Sequence, residues 1–275
     1  MTNVEIISIG NELLIGKTLN TNASWMAKRL TTLGLNVRRI TTISDDVNEI
    51  STAVKEALER KPSFLITTGG LGPTFDDKTL AGIAKALNAP LELNKEAFKM
   101  IKEKYKTYAQ ERDLEKIELT PARVKMARLP KSAKPLPNPI GTAPGVIIKH
   151  RKATVVSLPG VPPEMETIFE TSLEPMLKKR AGKATFLETS LGVSGMMESE
   201  LAPIIDKVMH DNPYIYIKSH PRGQERIPHI ELHLSTTSKD SATAKNRVSR
   251  TIIQITETIQ AKGGKISRFK AEKAL

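Results

Sequence analysis

The 275-residue chain is 39% hydrophobic and 26% charged, with a formal net charge of +12 and a pI near 9.7. It contains no cysteine, which excludes disulfides, thiolate nucleophiles, iron–sulfur clusters and thiolate zinc sites, so any metal must take oxygen or imidazole ligands. No apolar run reaches the ~18 residues of a membrane span, and Met1-Thr2-Asn3-Val4-Glu5 lacks a secretory pattern, so a cytoplasmic protein with no membrane partner is expected. The length suits roughly two domains.

In chain order, Val4–Ile9 reads as a first strand ending at Gly10-Asn11-Glu12, followed by a helix from about Asn20 with Ala23, Met26, Leu30 and Leu33 on one face. Val37–Ile43 is a second strand, closed by Ser44-Asp45-Asp46. A helix then places Ile50, Ala53, Val54, Ala57 and Leu58 at helical spacing. The third unit is the run Phe64-Leu65-Ile66-Thr67-Thr68, the loop Gly69-Gly70-Leu71-Gly72-Pro73-Thr74-Phe75-Asp76-Asp77-Lys78-Thr79, and a helix through Leu80, Ile83, Ala84 and Leu87. Three strand–helix units in succession predict a parallel sheet with right-handed crossovers. Gly10–Glu12, Ser44–Asp46 and Gly69–Asp77 should then meet at its carboxyl edge, where such sheets bind ligands.

A helix follows over about Lys95–Tyr108. Thr120–Gly145, rich in proline and basic residues, reads as a long loop. Val146–Ile148 and Val155–Leu158 read as a hairpin, and Pro159–Met165 as a turn into a helix that Pro175 kinks or ends. The composition shifts near Lys178–Lys183, giving a first domain over 1–180, a small α+β domain over 181–263 and a fraying basic tail over 264–275. The second domain should hold strands at Phe186–Val193, Tyr214–Lys218 and Ile227–Leu234, with helices carrying Leu201, Ile204 and Val208, and then Val248, Ile252 and Ile255. His229 and His233 lie ~13 Å apart along one strand, too far to share a metal, so with Glu231 they predict a polar sheet face.

The glycine-rich loop between a strand and a helix N-terminus suits a phosphate, because unpaired amides and the helix dipole both favour an anion. Adjacent carboxylates beside such a site make sense if a divalent cation bridges them to phosphate oxygens. A capping box formed by Thr74 and Asp77, with Asp76 complementing the dipole, explains the same residues without a ligand.

Five segments, Ser8–Gly16, Asn20–Asn22, Thr68–Thr79, Gly141–Gly145 and Leu158–Met165, together resemble the CinA family, whose first domain is related to the MoaB/MogA molybdopterin-binding fold. Gly192-Val193-Ser194, Glu198–Leu201 and Ile230–Lys239 resemble the middle domain of that family. Asn11 stands where many relatives carry aspartate. The C-terminal nicotinamide mononucleotide deamidase domain of full-length CinA has no counterpart in these residues, so deamidation is not expected.

The resemblance implies a three-layer α/β sandwich on a mostly parallel sheet, a homodimer, and metal-dependent hydrolysis of ADP-ribose to AMP and ribose 5-phosphate. Asp77 would hold a divalent cation, magnesium or a transition metal such as cobalt, with Asp45, Asp46 or Asp76 nearby, and Glu12 would orient or deprotonate water. Amides of Gly69, Gly70 and Gly72, with Thr74 and Thr79, would cradle phosphate. Asn11, Asn22, Gly141, Thr142, Pro159 and Gly160 complete the expected substrate contacts. The alternative is a molybdopterin-binding protein, in which the same loop serves a pterin phosphate. A third reading is a nucleic-acid or regulatory module, supported by the basic charge and weakened by an aromatic content of only 4%, which leaves few stacking platforms.

Overall fold

The computed structural model describes residues 2–113, 117–182, 185–222 and 229–268. The chain divides into two compact units, residues 1–31 with 35–182, and residues 183–275 with 32–34.

The first unit is built on a six-stranded sheet of order β2-β1-β3-β8-β7-β6, with β1 over Asn3–Ile9, β2 over Asn36–Ile43, β3 over Phe64–Thr68, β6 over Lys134–Leu136, β7 over Gly145–His150 and β8 over Ala153–Leu158. β2, β1, β3 and β8 run parallel, and β7 is antiparallel to both of its neighbours. All five residues of β3 and all six of β8 are buried, as expected of strands covered on both faces. On one face Ile7, Ile9, Leu65 and Val155 pack with Ile50 and Val54 of α3 (Val47–Glu59), Ile83 of α4 (Thr79–Ala86) and Ile101 of α5 (Lys95–Glu111). Alternation sends Ile6, Ile66 and Val156 to the other face. Met26 and Leu30 of α2 (Thr21–Thr32) are also fully buried, as are Met165 and Ile168 of α7 (Pro162–Ile168) and Phe169 beyond it. Trp25 meets Phe169 edge-on at 5.2 Å between ring centroids. This is the three-layer sandwich expected from the sequence.

Two expectations for this unit need correction. The segment Thr120–Gly145 is not a structureless loop. Thr120 caps the short helix α6 (Pro121–Lys125), β5 (Arg128–Pro130) pairs with β4 (Leu91–Leu93), and β6 joins the main sheet. Its low periodicity reflects elements of three to five residues, too short to express a pattern. Of the two outcomes expected at Pro175, a kink or an end, the end does not occur. Phe169–Leu173 form a π-turn, and α8 (Glu174–Ala181) continues from it with Pro175 in its first turn, where a missing N–H is tolerated.

The second unit has strand order β10-β11-β9-β12, all antiparallel, from β9 (Thr185–Ser194), β10 (Ile215–Arg222), β11 (His229–Ser238) and β12 (Lys265–Arg268). With α9 (Glu198–Asp211) between β9 and β10 and α10 (Ser241–Ala261) between β11 and β12, it is a split βαβ, ferredoxin-like arrangement. Leu191, Val193, Ile217, Leu232 and Leu234 pack with Leu201, Ile204 and Ile255. The expected fraying tail is corrected at Lys265–Arg268, which pair with β9; residues 269–275, and Ile227 and Pro228 of the expected third strand, lie outside the described residues. On the polar face Glu231 is buried and accepts hydrogen bonds from Ser190 (2.7 Å) and Arg222 (2.6 Å). Burial pushes its carboxyl up, but the Ser190 and Arg222 hydrogen bonds outweigh that and hold it below the usual range.

Candidate functional site

The parallel strands end together, and their loops are stitched to one another. The Gly10 amide donates to the Ile43 carbonyl (3.1 Å), the Gly69 amide to that of Leu158 (3.0 Å), and the Asn11 amide to Asp45 Oδ2 (2.9 Å). Gly10–Glu12, Ser44–Asp46, Gly69–Asp77 and Pro159–Gly160 are therefore neighbours in space. Gly69 and Gly70 adopt φ of +104° and +64°. A Cβ on Gly69 would fall on the Ile9 carbonyl, and one on Gly70 on the Thr79 hydroxyl, so glycine is required by conformation and by space together.

These strand ends enclose a cleft of about 90 Å³, lined by Ile9, Glu12, Asn20, Asn22, Thr68 and Gly160 among others. Asn22, one of the lining residues, is 9% exposed. Its Nδ2 donates to Gly160 O (2.8 Å) and Thr68 Oγ1 (3.1 Å), while the Thr68 hydroxyl donates to Pro159 O (2.9 Å). The Gly160 carbonyl can only accept, which orients the carboxamide and leaves Asn22 Oδ1 buried with no partner among the described residues. A buried acceptor without a donor is uncommon in folded proteins and calls for a reason. Asn20, which lines the same cleft, is engaged structurally: its Oδ1 accepts from Ser8 Oγ and the Ala23 amide, and its Nδ2 donates to Thr42 Oγ1.

The Thr74–Asp77 turn closes on itself. Asp77 Oδ2 accepts from the Thr74 amide (2.7 Å) and hydroxyl (2.5 Å), and the same hydroxyl also contacts Asp76 Oδ1. The Thr74 hydroxyl holds the Asp76 carboxyl below its ordinary value. The helix begins only at Thr79, so this hydrogen-bonded TxxD turn precedes the helix instead of capping it. Lys125 Nζ donates to the Thr74 carbonyl and ties α6 to the turn, a contribution that the sequence of the supposed loop does not reveal.

Several expected ligand groups are engaged within the protein. The Gly69 amide is held by Leu158, the Thr79 hydroxyl donates to Gly69 O (2.8 Å), and the Thr74 hydroxyl is turned into its own loop. Thus Gly69, Thr74 and Thr79 shape the site more than they present donors to it. The amides of Gly70 and Gly72 make no hydrogen bond among the described residues. Asp46 caps α3, with Oδ1 accepting from the Asn48 (2.8 Å) and Glu49 (3.0 Å) amides, and those bonds hold its carboxyl below the ordinary value. Glu12 is exposed, lies over Gly10 and lines the cleft. Gly141 and Thr142 do not line it. The Gly141 amide donates to Asn138 Oδ1 (2.8 Å), Asn138 Nδ2 bridges to Glu164 Oε2 (2.7 Å), and Thr142 lies 4.0 Å from Met126 Sδ. Among the described residues, no three carboxylate or imidazole side chains gather closely enough to hold a metal ion by themselves.

Comparison with known proteins places this geometry. The model of the probable molybdopterin binding domain matches residues 5–179, nearly the whole of the first unit. A protein of Sulfurisphaera tokodaii is 45% identical over 263 residues, covering 95% of this chain and 97% of that one. A protein of Pyrobaculum aerophilum is 46% identical over 264 residues, covering 94% and 95%. Among solved structures, the protein CinA of Thermoplasma acidophilum is 42% identical with a TM-score of 0.58, covering 64% of this chain and 98% of its own. With its sheet, its loops and the span of the match in agreement, the chain belongs to the family of probable molybdopterin-binding domains.

Proposed function

We propose that the first unit binds a phosphorylated pterin of the molybdopterin class at the carboxyl edge of its sheet. The observation that carries this reading is the unpartnered Asn22 Oδ1 in the cleft. A pterin edge offers N–H donors to such an acceptor, and the free amides of Gly70 and Gly72 suit a phosphate nearby. The cleft admits an edge of the ring, and the remainder of the ligand lies along the open loops. The family match supports the same class of ligand. The test is a titration of the protein with a phosphorylated pterin, followed by pterin fluorescence. Asn22→Ala should weaken binding about 10-fold, the effect of one hydrogen bond of about 1.4 kcal/mol. Absence of saturable binding to folded protein would overturn the reading.

A second reading, metal-dependent hydrolysis of a nucleotide pyrophosphate such as ADP-ribose, is favoured by one feature, the adjacent carboxylates of Asp76 and Asp77. Both bonds from Thr74 fall on Oδ2 of Asp77, which leaves Oδ1 for a cation. The donor chemistry fits a hard divalent ion held by one or two carboxylates, with phosphate oxygens and water completing its shell. Such an ion would polarise the phosphoryl group when bound. The chain's own residues would orient the substrate through the Gly70 and Gly72 amides and hold a water proton at Glu12. Release of AMP from ADP-ribose that needs a divalent cation and is lost in Asp77→Asn would establish this reading over simple binding.

A further inference from the structure

A broad hollow of the first unit lies at the opposite end of the sheet from the site above. It measures about 860 Å³ and opens at the amino ends of β3 and β8, where Pro62 and Ser63 lead into one strand and Arg151–Ala153 into the other. Its floor includes Leu58, Leu87 and Ala153, contributed by the end of α3, the end of α4 and the β7–β8 turn. Lys55, Lys61, Arg151 and Lys152 also line it, and none of the four has an ion pair among the described residues. Glu59 is the one acidic residue of the lining.

The plain explanation for cations here is complementation of the carboxyl ends of α3 and α4. It accounts for Lys61 and not for Arg151 and Lys152, which belong to a strand turn. The backbone adds a separate observation: three residues lining the hollow, Lys61, Asn88 and Arg151, have φ of 58°, 51° and 53°. Glycine fits this left-handed region with less strain, by roughly 1 kcal/mol per position, so lysine and arginine are kept there at a conformational disadvantage. A second hollow of about 440 Å³ shares Pro62 and adds Arg38 and Arg39, extending the basic surface along the same edge.

We infer that this amino-edge hollow is a second binding site, for a small polyanion with an apolar body, of the nucleoside diphosphate class. The apolar floor would take the base, and the cations from α3, the α3–β3 turn and the β7–β8 turn would take the phosphates. The volume lies within the ordinary range for small-molecule sites.

The experiment is calorimetric titration of the full chain with ADP in the presence of a chelator, using the unaltered protein, the double variant Lys61→Gly/Arg151→Gly and, separately, Asn22→Ala. Glycine removes both cations while relieving both left-handed positions, so the double variant should melt no lower than the parent. ADP affinity should fall at least 10-fold in the double variant and stay unchanged in Asn22→Ala. No ADP binding by the parent, unchanged affinity in the double variant, or loss of affinity in Asn22→Ala would each overturn the proposal. A polyglutamate peptide that binds the hollow in place of ADP would assign it to an acidic protein segment, which also overturns it.

Discussion

The two ends of one parallel sheet are built from opposite materials. At the carboxyl edge, glycines and short polar side chains bring four loops into van der Waals contact around a cleft of about 90 Å³, and most polar groups there are bonded to one another. At the amino edge, helix ends and a strand turn stand apart around a hollow of about 860 Å³ whose lysines and arginine make no ion pair among the described residues. Volume alone favours the amino edge. Topology and chemistry choose the other, because parallel strands direct their loops to the carboxyl edge, where α/β sheets bind ligands. Size and site are therefore separable properties of this fold, and the two edges should respond differently to perturbation.

The largest effect is expected at the crowded edge. Gly69→Ala places a methyl group on the Ile9 carbonyl at a φ of +104°, and should destabilise the first unit by about 3 kcal/mol or more, read by thermal or denaturant unfolding. A loss under 1 kcal/mol would mean that this edge is far looser than its contacts indicate. At the amino edge the corresponding anchor is Arg60, whose guanidinium makes bonds of 2.7 and 2.9 Å to Glu5, a carboxylate only 6% exposed. Arg60→Ala should cost about 2–3 kcal/mol, less than a fully buried pair because the arginine is a third exposed.

Asn22→Ala removes two donors and leaves the Gly160 carbonyl short of a partner, at about 1–2 kcal/mol. If Oδ1 is held for a ligand, Asn22→Ala should also reduce, by up to about 1.4 kcal/mol, the extra stabilisation that a phosphorylated pterin confers on the parent protein. Lys61→Gly should do the reverse on stability, raising it by about 0.5–1 kcal/mol in unfolding titrations, while weakening anion binding at the amino edge.

The smallest effect lies near neither edge and serves as a reference for both. Burial pushes the Glu174 carboxyl up, but hydrogen bonds from Lys178 and Arg29, each 2.7 Å, outweigh it and hold the carboxyl below its ordinary value of 4.5. A depressed carboxylate contributes stability that is fully present above pH 4.5 and is lost as pH falls through the lowered value. Glu174→Gln should therefore flatten the acid limb of the stability profile below pH 4.5 and leave binding at both edges unchanged.

Much of this was legible in the chain. The apolar runs and helical spacings of the first three strand–helix units place β1, β2, β3, α2, α3 and α4, since long buried elements carry a strong period. The convergence of Gly10–Glu12, Ser44–Asp46 and Gly69–Asp77 follows from parallel topology alone. Short elements were not legible: α6, β5 and β6 hide in a proline-rich stretch, and with them Lys125, which braces the Thr74–Asp77 turn. Nor does residue type disclose partnership. Thr74, Thr79 and the Gly69 amide have the right chemistry for phosphate, yet each is engaged within the protein, whereas Asn22, expected as a contact only through the family resemblance, holds an unpartnered acceptor.

The sequence by itself determined the layers of this protein and the edge at which its glycine and aspartate loops gather, because hydrophobic period and parallel crossover are local or topological properties of the chain. Only the tertiary structure decided which polar groups at that edge remain free, and that a basic hollow stands at the other end. Hydrogen-bond satisfaction and concavity arise between residues far apart in sequence, Asn22 with Gly160 and Lys61 with Arg151, and no local pattern encodes them.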